Sequence, residues 1–225
     1  EGYIFGDSLQ QGNIEVNIDL VNDICPGEKH INFVYGGGNN APYKPDVTAY
    51  SENDGSYSME GAIYHYDTAR ISPVVNIISG TIDSAVFGGG KGIGDDPITT
   101  EHPFGAYYDF ADVNSTLVKI EIPLEDENHN PIDTTLNRIW GSVFGGSEDG
   151  HVLGNTRVQY VSGFTGTKGT TSYDGNIFGG GRNYSRKNYT AGRVQGNVKV
   201  EMCGGQLFGT LFGGGRLALT GCSFM

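Results

Sequence analysis

The sequence predicts an all-β chain, a parallel β-helix or β-solenoid with long loop insertions. Three observations predict it: a Gly-rich phrase that returns along the chain, short alternating segments upstream of each copy, and the absence of any helical period with caps.

The phrase is an aliphatic residue, an aromatic residue and then glycines. It reads Val34-Tyr35-Gly36-Gly37-Gly38, Val86-Phe87-Gly88-Gly89-Gly90, Val143-Phe144-Gly145-Gly146-Ser147, Ile177-Phe178-Gly179-Gly180-Gly181 and Leu211-Phe212-Gly213-Gly214-Gly215. A degenerate copy, Ile4-Phe5-Gly6-Asp7, opens the chain. Gly179 and Gly213 stand 34 positions apart, as do Gly145 and Gly179; the two earlier intervals are 52 and 57. One unit with loops of varying length explains all four intervals.

The upstream segments are strands by their period of two. In Gly196-Asn197-Val198-Lys199-Val200-Glu201-Met202 the apolar residues fall on one face and the polar ones on the other. Gly12 to Ile18 and Gly154 to Tyr160 repeat the pattern, and Pro73 to Ile77 and Leu117 to Ile122 are weaker relatives. Gly turns such as Ser79-Gly80-Thr81-Ile82 and Gly204-Gly205-Gln206-Leu207 join each segment to the next glycine phrase. A single unit cannot bury its apolar face, whereas stacked units bury it against each other. Glycines then supply positive φ at corners and let neighbouring units approach, while the aromatic of each phrase stacks on the next. Parallel crossovers are right-handed by default. A propeller blade needs four strands, and only two are clear per unit. The expectation is therefore one domain over residues 1–225, of about five to six coils, forming part of a longer repeat array.

Composition narrows the function. Glycine supplies 37 of 225 residues, but no Gly-X-Y period runs through them, which removes collagen. The 13 tyrosines and 11 phenylalanines argue against disorder. A net charge of −12 repels nucleic-acid phosphates, so no nucleic-acid partner is expected. No apolar run reaches the roughly 18 residues of a membrane span, so no membrane insertion is expected. Three cysteines, Cys25, Cys203 and Cys222, are not a disulfide framework. Buried free thiols are the default, with one bridge and one remaining thiol as the alternative.

The alternation of Gly-Asn-x-x-Val strands with Val-Phe-Gly-Gly-Gly corners resembles the Gly-rich repeats of large surface proteins, adhesin-like in character, from Bacteroides-type gut bacteria. The resemblance covers nearly all of the chain outside its loops. It implies an extracellular or bacterial cell-surface location and a structural or adhesive module that presents loops on a rigid solenoid. It attaches no catalytic residue to the repeat.

Ligand chemistry is expected in the two insertions. Tyr43, Tyr50, Tyr57, Tyr64 and Tyr66 lie among carboxylates in the first, and His102, Tyr107 and Tyr108 in the second. Aromatic faces beside carboxylates suit sugars, and tyrosine also suits protein partners, so a glycan or a host or bacterial surface protein is the expected partner. Packing of these rings onto the coil is the alternative. The alternative functions are a carbohydrate-binding or carbohydrate-processing β-helix and a self-assembling filament or surface-layer component. No spacing singles out a carboxylate pair for glycoside hydrolysis, so no enzyme is expected. No cofactor is expected beyond loosely held calcium, with Asp95, Asp96, Glu125, Asp126 and Glu127 as candidate oxygen ligands. His30, His129 and His151 read as isolated, and Arg182, Arg186, Lys187 and Arg193 as a basic cluster that pairs with acidic neighbours or meets an anionic surface. Uncapped ends point to end-to-end self-association.

Overall fold

A computed structural model describes residues 14–20, 30–40, 72–94, 99–100, 111–126, 128–133, 135–167 and 175–221. Thirteen strands lie within them: β1 (Glu15–Ile18), β2 (His30–Tyr35), β3 (Val74–Ile77), β4 (Thr81–Phe87), β5 (Thr116–Glu121), β6 (Arg138–Ile139), β7 (Ser142–Phe144), β8 (Thr156–Ser162), β9 (Phe164–Thr165), β10 (Ile177–Phe178), β11 (Val198–Met202), β12 (Gln206–Leu207) and β13 (Leu211–Phe212). No helix occurs among the described residues.

The strands form two sheets, and every strand pair in them is parallel. One sheet has five strands in the order β1-β3-β5-β8-β11. The other has eight, in the order β12-β9-β6-β4-β7-β10-β13, with β2 on β4. The chain visits the sheets alternately, so five successive rungs each contribute to both. The long β4 pairs with both β6 and β7, which Trp140 and Gly141 separate.

The expected parallel β-helix is corrected by this arrangement. Two separate parallel sheets are present, and they do not close into a solenoid. On the remaining side the chain forms only isolated bridges, such as Val113 to Val152 to Val194 to Thr220 and Glu148 to Arg182 to Arg216. A sheet wall needs consecutive extended residues, and the Gly-rich stretches and turns there pair at one residue per rung. Wholly parallel sheets of this kind usually belong to α/β folds with helices over both faces. Here the covering is made by other means.

Register explains that covering. Val34, Val86, Val143, Ile177 and Leu211 stand in one column across the large sheet. Val16, Val75, Val118, Val158 and Val200 form a column across the small one. Their inner faces meet in the main core, with Ile77, Ile82, Ile120, Ile139 and Tyr160. Successive strand residues point to opposite faces, so the aromatic after each column residue lies on the far face of the large sheet. Tyr35, Phe87, Phe144, Phe178 and Phe212 stack there with centroids 5.0, 4.7, 4.9 and 4.8 Å apart and planes within 9° of parallel. The ring spacing equals the spacing of neighbouring strands, about 4.7–4.9 Å, so each ring lands on the next without bending the backbone. The small sheet instead turns Asn17, Asn76, Lys119, Gln159 and Glu201 outward, and Asn76 donates to Asn17 Oδ1 at 2.8 Å.

The glycines divide their work. The left-handed region is used at the turns between sheets, at Gly80 (φ +100°) and Gly205 (φ +76°). The glycine triplets do not use it. A Cβ on Gly88 or Gly145 would strike the backbone carbonyl of Gly145 or Gly179 in the next rung, so the triplets serve close approach alone. Cys203, expected to be buried, is instead a free exposed thiol just beyond edge strand β11.

Candidate functional site

Each glycine phrase ends at a residue that the repeat places in one further column. Backbone bonds run from Lys91 N to Gly38 O, Glu148 N to Gly90 O, Arg182 N to Ser147 O and Arg216 N to Gly181 O, each 2.8–3.0 Å. The column therefore reads Asn39, Lys91, Glu148, Arg182 and Arg216. Charge alternates through its middle. Glu148 is 4% exposed, with Arg182 Nη1 at 3.5 Å from Oε2 and Lys91 Nζ at 4.0 Å from Oε1. Tyr35 at the end of β2 donates its hydroxyl to Glu148 Oε1 at 3.0 Å. Burial and that neighbouring carboxylate push the Tyr35 phenol far above its ordinary value, so it stays a donor.

Asp149 follows Glu148 and is also buried. Burial raises its carboxyl to about 6, against the opposing pull of the Tyr184 and Ser185 amides that donate to its Oδ1. Those two bonds hold the Tyr184 loop over the column. Arg182 stacks on the Tyr184 ring at 4.5 Å, and Arg138 on the Trp140 ring at 4.0 Å. An arginine on one face fixes each ring by a cation–π contact.

Lys91, Glu148, Arg182, Trp140 and Tyr184 border one cleft of about 560 Å³, completed by Phe33, Asp83, Ser84 and Gly141. Gly141 packs so closely on β4 that a Cβ there would run into the Ser84 carbonyl. Asp83 is partnered by His30 Nδ1 at 3.1 Å, and Ser84 donates to Asn32. Two carboxylates and two cationic groups thus share a wall with three aromatic rings, Phe33, Trp140 and Tyr184.

The sequence pointed elsewhere. Tyr43, Tyr50, Tyr57, Tyr64, Tyr66, His102, Tyr107 and Tyr108 lie outside the described residues, as do Asp95, Asp96 and Glu127. Glu125 and Asp126 occupy an exposed turn. Glu125 meets His129 at 3.4 Å, and Asp126 accepts from the amides of Asn128 and Asn130. Bonds from Asn130 hold the Asp126 carboxyl below its usual range. No group of three His, Cys, Asp or Glu side chains gathers among the described residues. The three histidines read as isolated are each paired: His30 with Asp83, His129 with Glu125, and His151 with Asp112 at 2.8 Å in the interior. Of the basic cluster, Arg182 pairs with Glu148 and Arg193 is buried.

The cleft residues did carry a sequence signal. Lys91, Glu148 and Arg182 occupy the same offset, directly after the glycine phrase, and opposite charges at one offset in adjacent repeats become neighbours once the repeats are in register. Trp140 and Asp83 had no such marker. No protein-family model, curated protein or solved structure matches the chain.

Proposed function

We propose that the protein is a non-catalytic adhesive module of a bacterial cell surface that holds neutral glycan chains in the cleft beside Trp140. The observation that carries this reading is the make-up of that wall. Asp83 and Glu148 balance Lys91 and Arg182 in a chain whose net charge is −12. A locally neutral wall that interleaves acceptors and donors selects neither anions nor cations. It suits vicinal hydroxyls, which accept and donate at once. The remaining surface of Trp140 and Tyr184 offers apolar cover for the C–H face of a sugar ring.

The non-catalytic part is supported by how the carboxylates are held. Hydrolysis of a glycoside needs one carboxyl that gives up a proton and one free to act as base or nucleophile. Asp83 is tied to His30, and Glu148 is held by Tyr35 and Arg182. The surface location is supported by the resemblance of the repeat.

The test is a glycan array with the purified protein, with and without calcium. Neutral glycans are expected to bind in both conditions. Tyr184→Ala, at a ring 62% exposed, and Trp140→Ala should each weaken binding about tenfold, a loss of roughly 1.4 kcal/mol. Silence of the wild-type protein across the array would remove the adhesive reading. Shortening of the bound glycan would overturn the non-catalytic one.

A further inference from the structure

The cleft beside Trp140 has two facing walls. Phe33 of β2 is 42% exposed, and its ring lies 6.1 Å from that of Tyr35 with the planes 23° apart. Tyr35 stacks on Phe87 of the next rung at an interplanar angle of 3°. The face of Phe33 therefore also points along the axis of the stacked rungs. Trp140 stands two rungs further on, after β6, where its amide donates to the Ile82 carbonyl of β4. One face of its indole is taken by Arg138, at 4.0 Å. That guanidinium donates to the Gly166 carbonyl of the fourth rung and meets the Phe208 ring of the fifth at 5.9 Å. It sits on the side of Trp140 turned away from Phe33. The other face of the indole points back toward the first rung.

The rung between these walls offers no ring to the cleft. There β4 places Asp83 and Ser84. Two strand spacings separate the walls, about 9–10 Å. A flat ring touching both walls at about 3.5–4.0 Å would need them only about 7–8 Å apart. A pyranose is puckered and carries axial C–H bonds on both faces, so it fills the wider slot. Its equatorial hydroxyls radiate in the plane of the ring. In the slot they face Asp83, Ser84 and Lys91 of the same rung, with Glu148 and Arg182 beside them.

We propose that the cleft holds one pyranose ring between Phe33 and Trp140, a C–H face against each, and so selects sugars of the gluco configuration. This selection rests on the glycan-binding reading of the cleft. In a β-glucoside every ring substituent is equatorial, and both faces carry only axial hydrogens. An axial hydroxyl at C4, as in a galactoside, puts oxygen on one face. An axial hydroxyl at C3, as in an alloside, puts oxygen on the other. An oxygen pressed onto an aromatic face loses its water without gaining a hydrogen bond. A stack on Trp140 alone would reject one of these epimers, whereas a slot rejects both.

Trp140 is the only tryptophan of the chain, so its fluorescence reports on the slot directly. Titrations of the purified protein with the methyl β-glucoside, β-galactoside and β-alloside follow that emission. The glucoside should shift it saturably, and each epimer should bind about tenfold more weakly. Phe33→Ala should keep the wild-type melting temperature, weaken the glucoside about tenfold and bring one epimer within about twofold of it. Phe33→Tyr should reject both epimers again. A wild-type protein that binds either epimer as well as the glucoside, or a Phe33→Ala variant that still rejects both, would overturn the slot. So would an unresponsive Trp140 in a protein that binds neutral glycans on the array, and that outcome leaves the adhesive reading standing. A silent array with an unresponsive Trp140 overturns both.

Discussion

The phrases Val86-Phe87-Gly88-Gly89-Gly90 and Leu211-Phe212-Gly213-Gly214-Gly215 are nearly one sequence in two surroundings. In the second rung, Val86 and Phe87 are wholly buried, and a Cβ on Gly88 would collide with the next rung. In the fifth rung, Leu211 and Phe212 are two-fifths exposed and Gly213 faces open space. Local sequence therefore sets the shape of a rung, while its contribution to stability comes from having a neighbour on each side. This is the behaviour expected of an array whose units interact only with the next unit.

The largest separation between the two settings is expected at the aromatic stack. Phe144 lies between rings at 4.7 and 4.9 Å and is fully buried, whereas Phe212, 42% exposed, stacks among the described residues on one ring, at 4.8 Å. Phe144→Ala should cost about 3–5 kcal/mol, the range for deleting a buried phenylalanine. Phe212→Ala should cost about 1 kcal/mol, near the value of a single ring pair. Urea midpoints at concentrations where each variant is monomeric decide it. Equal losses at the two positions would break the comparison.

The same comparison shows what was legible in the sequence. Each upstream segment read as a strand lies in the five-stranded sheet, and the five glycine phrases fall into register across the eight-stranded one. Alternation of Val198, Val200 and Met202 against Lys199 and Glu201 was enough for that, because a period of two is a local property. Closure was not legible. Whether the third side becomes a wall depends on how many consecutive residues pair, and a glycine triplet followed by a variable loop leaves that count open. The role assigned to the triplets was half right for a similar reason. Composition shows that glycine is required, but it does not separate positive φ, found at Gly80 and Gly205, from close approach, found at Gly88 and Gly145. The cleft was missed because its charges come from three repeats and its tryptophan from a break between β6 and β7.

A second way to sharpen the comparison uses the corner beyond the glycines. Asp149 N donates to Arg182 O, and Asn183 N to Arg216 O, so Asp149, Asn183 and Leu217 share a column. Asp149 and Leu217 both hold positive φ, 58° and 59°. The interior residue is a buried carboxylic acid raised to about 6, and the terminal one is a leucine 61% exposed. Because the folded-state value lies above the unfolded one, the folded chain keeps a proton that the unfolded chain has lost. Stability from this group is present below about pH 4, falls as pH climbs toward 6, and is gone at neutral pH. Asp149→Asn keeps an oxygen for the Tyr184 and Ser185 amides and carries no charge. It should remove that slope and raise stability at pH 7 by on the order of 2 kcal/mol. Leu217→Asn should leave both unchanged. A slope that survives in Asp149→Asn would place its origin in another group.

The smallest expected effect concerns one hydroxyl. Thr116, Thr156 and Val198 share a column in the small sheet. Thr116 Oγ1 donates to the Gly145 carbonyl, and Thr156 Oγ1 to the Gly179 carbonyl at 2.7 Å, both in the interior. Each bond ties a small-sheet strand to a glycine corner of the large sheet, so it fixes the distance between the sheets where the triplets allow close approach. The fifth rung places Val198 there, which has no hydroxyl to give to Gly213. Thr156→Val keeps the side-chain volume and removes only the donor, so it should cost about 1 kcal/mol, the net worth of one buried hydrogen bond. Val198→Thr should be near neutral, because its corner borders solvent and water can serve the carbonyl. Should the two substitutions prove equally costly, the difference between interior and terminal rungs would lie in the packing of rings and aliphatic columns alone, with the hydrogen bonds between sheets contributing nothing to it.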